Sequence, residues 1–239
     1  MDQAGVDTAI LLGWYWQTPA ACELQNTFLA QCHRQHPDRL QVCAAVHPDS
    51  SRSPETQVLR WRDEGFCGLG ELSPHSISGG DPNGDSRWDE WFAAAGVAGL
   101  PVNLHVTDPR SRSFPGKMDT PLGDFLKWGR NHSATTFVLA HGGGRMPWFT
   151  PEVLSLPNVV FDMAAFPLLY PPPSLDAWVA QCGASKLCWG SDHPLDLYPK
   201  YNDEGSWARW RAAIDQSGWG DEVSGALLGG NAMRVFNLG

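Results

Sequence analysis

The chain has 239 residues, 42% of them hydrophobic and 18% charged, which supplies a real core and is too little charge for a disordered tail. With 26 acidic against 17 basic side chains the formal net charge is −9, so the basic footprint of a nucleic-acid binder is absent and an anionic membrane surface repels the chain on average. No run approaches the roughly 18 apolar residues that span a bilayer, and the opening Met1-Asp2-Gln3-Ala4-Gly5 shows no secretion signal, so a cytoplasmic protein is expected.

Residues 2–7 read as the end of a helix leading into a strand at 8–12. A helix at 20–36, a strand at 41–46, a helix at 54–64 and a strand at 68–72 follow. The alternation continues with a helix at 86–99, a strand at 102–106, a helix at 121–131 and a strand at 136–140. A short helix at 150–155 precedes a strand at 159–163, then come a helix at 174–182 and a strand at 187–190. Helices at 204–217 and 221–228 finish the chain. Strands that are apolar throughout, separated by amphipathic helices, predict one parallel sheet covered on both faces. The fold class is therefore α/β, a (β/α)8 TIM-barrel-like single domain over 1–239. Seven strands are recognised, and the place for the eighth is before residue 1, so the barrel is expected to be incomplete at its N-terminus. Such a barrel leaves two unpaired edges, which a shifted segment or a neighbouring chain in a homodimer would cover.

Six cysteines form no CxxC pair and lie mostly in apolar runs, as small buried hydrophobes do. Twelve Trp with 25 Gly and 19 Pro suggest a loop-rich enzyme with aromatic-lined surfaces. The stretch 107–119 has the length of a lid or binding loop.

Ligands of parallel α/β folds bind where strands end. Four strands here end in metal-capable or acid/base side chains: Glu71, His105, His141 and Asp192. A buried ionisable group costs free energy unless paired, so packing alone explains four of them poorly. Imidazole nitrogen and carboxylate oxygen suit zinc or a similar divalent ion. A carboxylate beside such an ion can move a proton from water to a leaving group, and Asp192 suits that role.

Five blocks carry a resemblance: Gly70-Glu71-Leu72-Ser73-Pro74-His75, Pro101-Val102-Asn103-Leu104-His105-Val106-Thr107, Leu139-Ala140-His141-Gly142-Gly143-Gly144, Trp189-Gly190-Ser191-Asp192-His193-Pro194 and Leu228-Gly229-Gly230-Asn231-Ala232. In this order and spacing the chain resembles the amidohydrolase-related (type 2) branch of the amidohydrolase superfamily. The resemblance implies a distorted (β/α)8 barrel and a divalent metal, usually zinc. It implies a metal-dependent hydrolase acting on a small-molecule ester, lactone or amide through a metal-activated water. Non-oxidative decarboxylases of small carboxylic acids share the scaffold. By position, His105 matches the fifth-strand metal ligand and His141 the sixth-strand ligand or activator of the attacking water. Asp192 matches the eighth-strand ligand and proton shuttle, and Glu71 the acidic position of the fourth strand. The family's first-strand His-x-His has no counterpart, since the first histidine here is His33. Three explanations stand side by side: a native start upstream of Met1, weaker metal binding through His105, Asp192 and Glu71, or a metal-free relative that binds ligand without turnover.

Further candidates surround this set. His75 reads as a substrate contact or replacement ligand, or as an exposed loop residue. His47, ending the strand 41–46, is a candidate pocket residue, and His193 is expected behind Asp192. His33, His36 and His132 are expected in solvated helical positions. Asp162 either faces a ligand or makes a strand-end hydrogen bond. Arg110, Arg112 and Lys117 on the long loop either seat a substrate carboxylate or are solvated. Trp14, Tyr15 and Trp16 either line the pocket or cover the missing unit. Gly142–Gly144 lacks phosphate-loop spacing and reads as a close backbone approach beside His141.

Overall fold

The computed structural model describes residues 1–77, 85–113, 115–170, 174–194 and 207–239. Seven short apolar runs form the strands β1 (Ala9–Leu11), β2 (Leu40–Ala44), β3 (Gly68–Leu72), β4 (Val102–Leu104), β5 (Phe137–Leu139), β6 (Val159–Asp162) and β7 (Leu187–Cys188). They pair in chain order and always in parallel, from Ala9 beside Leu40 to Phe161 beside Leu187. Parallel neighbours need a crossover between them, and the helices supply it. The sheet order runs from β1 to β7 without closing, so the molecule is a curled half-barrel, an incomplete (β/α)8 TIM barrel.

Alternation along each strand gives the sheet two faces. Val42, Ala44, Phe137, Leu139, Val159 and Phe161 point outward into the main core beneath the helices. Cys43, Val138, Val160 and Cys188 point inward and form a second cluster with Val235 and Phe236 of the C-terminal segment, which plugs the barrel interior. The cysteines are free, and Cys43, Cys67 and Cys188 are buried among these hydrophobes. Many of the tryptophans serve the outer layer rather than a surface. Trp61, Trp88, Trp91 and Trp128 are nearly fully buried, whereas Trp14, Trp16 and Trp148 are exposed. No helix among the described residues is long and apolar enough to cross a membrane.

Helix starts follow their caps. Thr18 caps Pro19–Gln35, Ser53 caps Pro54–Asp63 and Asp85 caps Ser86–Ala98, which ends on left-handed Gly99. The last expected helix, 221–228, is seen as Asp221–Gly225 running into a π turn at Ala226–Gly230, and a further helix, Asn231–Val235, follows it. The helix expected at 204–217 is seen as Trp207–Asp215, its first three expected residues lying outside the described residues. Strands β4, β5 and β7 stop earlier than their apolar runs because the chain turns there to form the site.

Asn26 ties the first helix to the sheet. Its side chain, only 1% exposed, donates Nδ2 to the Ala45 carbonyl and accepts the Ala45 N–H at Oδ1, both at 2.8 Å, just past the end of β2. Asn26→Leu removes both partners from a buried peptide unit and is expected to destabilise by about 2–4 kcal/mol, read as a shift of the urea unfolding midpoint. A loss below half a kcal/mol would mean that water replaces the amide there.

Candidate metal centre

The site lies at the C-terminal ends of the strands. Glu71 belongs to β3, His105 follows β4, His141 follows β5, Asp162 ends β6 and Asp192 follows β7. The His105 backbone N–H still donates to the Leu72 carbonyl (2.8 Å), which fixes where the ring leaves the sheet. His105 Nδ1 lies 2.7 Å from Glu71 Oε1, and its Nε2 lies 3.2 Å from Thr107 Oγ1. The His105 and His141 rings meet edge to face at 5.3 Å. One donor atom each from Glu71, His105 and His141 falls within 4.8 Å of the others. Asp192 flanks them, its Oδ2 3.9 Å from His141 Nδ1 and its side chain about one-third exposed. It stands outside the three-residue group. Two imidazoles and a carboxylate at this spacing fit a divalent ion of the zinc or manganese type.

Asp162 resolves in favour of the strand-end hydrogen bond. Its Oδ1 accepts the N–H groups of His141 (3.1 Å) and Ala164 (3.0 Å), and its Oδ2 accepts Asn103 Nδ2 (3.0 Å). The glycine run is indeed a close approach. A Cβ on Gly142 would collide with the edge of the Trp178 ring and with Phe166, and one on Gly144 would sit 2.8 Å from the Thr107 carbonyl oxygen.

Charges in the site act on one another. Burial, the largest influence on Glu71, pushes its carboxyl up, but the hydrogen bond and charge of His105 with the charge of His141 outweigh it and hold the group below its ordinary range. Burial disfavours a charged His141, yet Glu71, Asp162 and Asp192 together raise it above an ordinary imidazole. Asp162 and Asp192 are raised, chiefly by burial.

These directions set the pH dependence of the metal-free protein. The raised His141 contributes stability that is complete below about pH 6.5 and is lost as pH climbs through its folded value. Raised Asp162 and Asp192 likewise favour the folded state at lower pH, whereas depressed Glu71 contributes above its ordinary value and loses that contribution in acid. The thermal midpoint without metal is therefore expected to fall from neutral to mildly alkaline pH, and His141→Asn to flatten that fall. Added zinc should reverse the slope, because ligands must lose protons to bind. Thermal scans between pH 6 and 9 check this, and identical slopes for parent and variant would refute the assignment to His141.

The remaining candidates are dispersed. His75 is turned away from the site: it is buried, its Nε2 lies 2.9 Å from Asp124 Oδ2, and its ring packs against Phe125 and Trp128 of the helix Leu122–Asn131. The turn after β3 enters a short helix, Pro74–Ile77, which delivers that ring to the helical layer. His47 is buried, accepts the Asp49 N–H at Nδ1 (3.1 Å), and is held below an ordinary imidazole chiefly by burial. Trp14 is half exposed and stacks on Tyr15; it is Tyr15 that borders His105, at 5.6 Å between ring centroids. Arg110 lies over the Phe149 ring, Lys117 donates to the Ser111 carbonyl, and Arg112 and His193 are exposed.

Two helical histidines are less solvated than expected. His132 Nε2 lies 2.7 Å from Asp89 Oδ1 against Phe92, and His33 Nδ1 lies 2.8 Å from the Leu40 carbonyl; His36 is exposed. Sequence reading missed Asp108, Arg145 and Tyr170. Arg145 Nε lies 2.9 Å from Asp108 Oδ2, and its guanidinium lies over the Tyr170 ring at 4.8 Å. The available signal was an arginine directly after three glycines, where a strained backbone ends.

An incomplete parallel barrel with two imidazoles and a carboxylate converging at the C-terminal ends of its strands is the arrangement expected of an enzyme of the amidohydrolase superfamily, and the family match bears this out. The amidohydrolase family matches residues 3–238, and the chain belongs to that family. No curated relative matches the sequence. Among solved structures, a 2,6-dihydroxybenzoate decarboxylase from Rhizobium is 17% identical, with a TM-score of 0.70 over 100% of this chain and 86% of that one. A 5-carboxyvanillate decarboxylase from Novosphingobium aromaticivorans, complexed with manganese, is 18% identical, with a TM-score of 0.74 over 100% and 78%. A probable 2-pyrone-4,6-dicarboxylic acid hydrolase from Acinetobacter baumannii, with citric acid bound, is 18% identical, with a TM-score of 0.70 over 99% and 86%.

Proposed function

We propose that this protein is a metal-dependent hydrolase acting on a small-molecule ester, lactone or amide. The observation that carries the reading is the convergence of donor atoms from Glu71, His105 and His141 within 4.8 Å at the barrel mouth. These three residues would hold a divalent ion, with zinc as the proposed metal. When bound, such an ion supplies Lewis acidity and makes water more acidic. The protein's own residues do the rest. Glu71 orients His105 through their hydrogen bond. Asp192, beside His141 and partly open to solvent, takes a proton from the attacking water and returns it to the leaving group. Arg110 and Arg112 are exposed on the loop that follows β4, and positive charge on that loop favours carboxylate-bearing substrates. Metal analysis of the purified protein, followed by hydrolysis assays on a lactone panel, tests the reading. Protein that holds no zinc, manganese or iron and gains none on addition would instead be a binding protein without turnover.

Non-oxidative decarboxylation is the second reading, favoured by the two similar decarboxylase structures that each cover the whole chain. In that case Asp192 or His141 delivers the proton to the carbon that loses its carboxylate. Release of carbon dioxide from aromatic carboxylates, with no lactone turnover, would select it.

A further inference from the structure

Five consecutive residues, His141 to Arg145, have left-handed backbone, with φ of 57°, 67°, 58°, 59° and 67°. L-residues visit this region singly, not in runs. Three glycines make the run feasible, but the two residues that bracket it are not glycine, and one of them is the proposed ligand His141. Side chains from three loops hold both ends. At the first end Asp162 accepts the His141 N–H (3.1 Å), and the Tyr170 hydroxyl donates to the His141 carbonyl (3.2 Å). At the other end the Arg145 guanidinium pairs with Asp108 and covers the Tyr170 ring. Asp108 lies three residues beyond His105 and is 4% exposed in its side chain; Tyr170 is also buried. The loops after β4, β5 and β6 therefore meet at one ion pair and one phenol ring. Glycine would satisfy the backbone at position 145 without strain, so an arginine there is explained by what its side chain does.

We propose that Asp108, Arg145 and Tyr170 are positioning residues: a clamp that holds the left-handed turn and so aims the His141 imidazole at Glu71 and His105. What the aim serves rests on the metal-site reading above; the clamp itself does not. Arg145→Gly removes the side chain while relieving the backbone, and Tyr170→Phe removes a single hydroxyl. Both are made in the full chain labelled with 15N-histidine, with His141→Asn to assign the His141 ring signals. In the metal-free protein Tyr170→Phe is expected to keep the parent thermal midpoint within a few degrees, and Arg145→Gly, which leaves the buried Asp108 carboxylate without its partner, to lower it further. The His141 ring-nitrogen signals should move, while those of His33, His36, His75 and His132 stay in place. Cobalt(II), titrated by its visible absorption, should bind at least tenfold more weakly to both variants. Unmoved His141 signals in both variants overturn the proposal. If Arg145→Gly does not fold, Tyr170→Phe decides alone. If the parent itself binds no cobalt, the metal reading fails, and the ring signals still decide the clamp.

Discussion

His105→Ala is expected to lower zinc or manganese affinity by well over tenfold, more than 1.4 kcal/mol of binding free energy. The loss exceeds that of one ligand because His105 also conditions its neighbour. Its hydrogen bond and charge, together with the charge of His141, hold the buried Glu71 carboxyl below its ordinary range. Without the His105 contribution Glu71 takes up a proton more readily, and the second donor is weakened with the first. His132→Ala is the control. That ring also lies 2.7 Å from a carboxylate, Asp89, but in the helical layer, and metal affinity should not change. Asp192→Ala should lower activity at least tenfold while costing less metal than His105→Ala, because Asp192 flanks the donor group rather than completing it. Calorimetric titration with metal-content analysis reads all three variants. Equal affinity in parent and His105→Ala would remove the metal centre.

Gly142→Ala should be among the most destabilising single-methyl changes in the molecule. At φ 67° an L-residue costs about 1–2 kcal/mol, and the added methyl enters space held by the Trp178 and Phe166 rings. Overpacking of that kind adds about 1–3 kcal/mol, for a total of about 2–5 kcal/mol. Gly99→Ala separates the two contributions. Gly99 has nearly the same backbone, φ 70° and ψ 21°, but a Cβ there meets nothing within 4 Å. It should cost only the backbone part, about 1–2 kcal/mol. Urea unfolding of the pair measures the difference, and equal midpoints would show that Trp178 does not confine the turn.

Local patterns explain what was legible beforehand. Apolar runs bounded by Gly and Pro located all seven strands, since a parallel strand covered on both faces has no polar face to hide it. Amphipathic runs between those strands located most of the helices. Glu71, His105, His141 and Asp192 stood out because each closes an apolar strand, the one place where an ionisable residue is costly and exposed to a ligand at once. Strand ends were placed one or two residues too late at every strand but β3, because an apolar residue can as well begin a loop.

The sequence by itself determined the order of strands and helices, the parallel sheet, and the end of the barrel at which the ionisable residues gather, because periodicity and termination act over a few neighbouring residues. Only the tertiary structure decided which of them face one another. His75 was drawn to Asp124 and the aromatic helical layer, Asp162 was spent on backbone N–H groups, and Arg145 found Asp108 across 37 residues. Those partners lie far along the chain, and an electrostatic or hydrogen-bonded contact depends on distance in space, which no local pattern encodes.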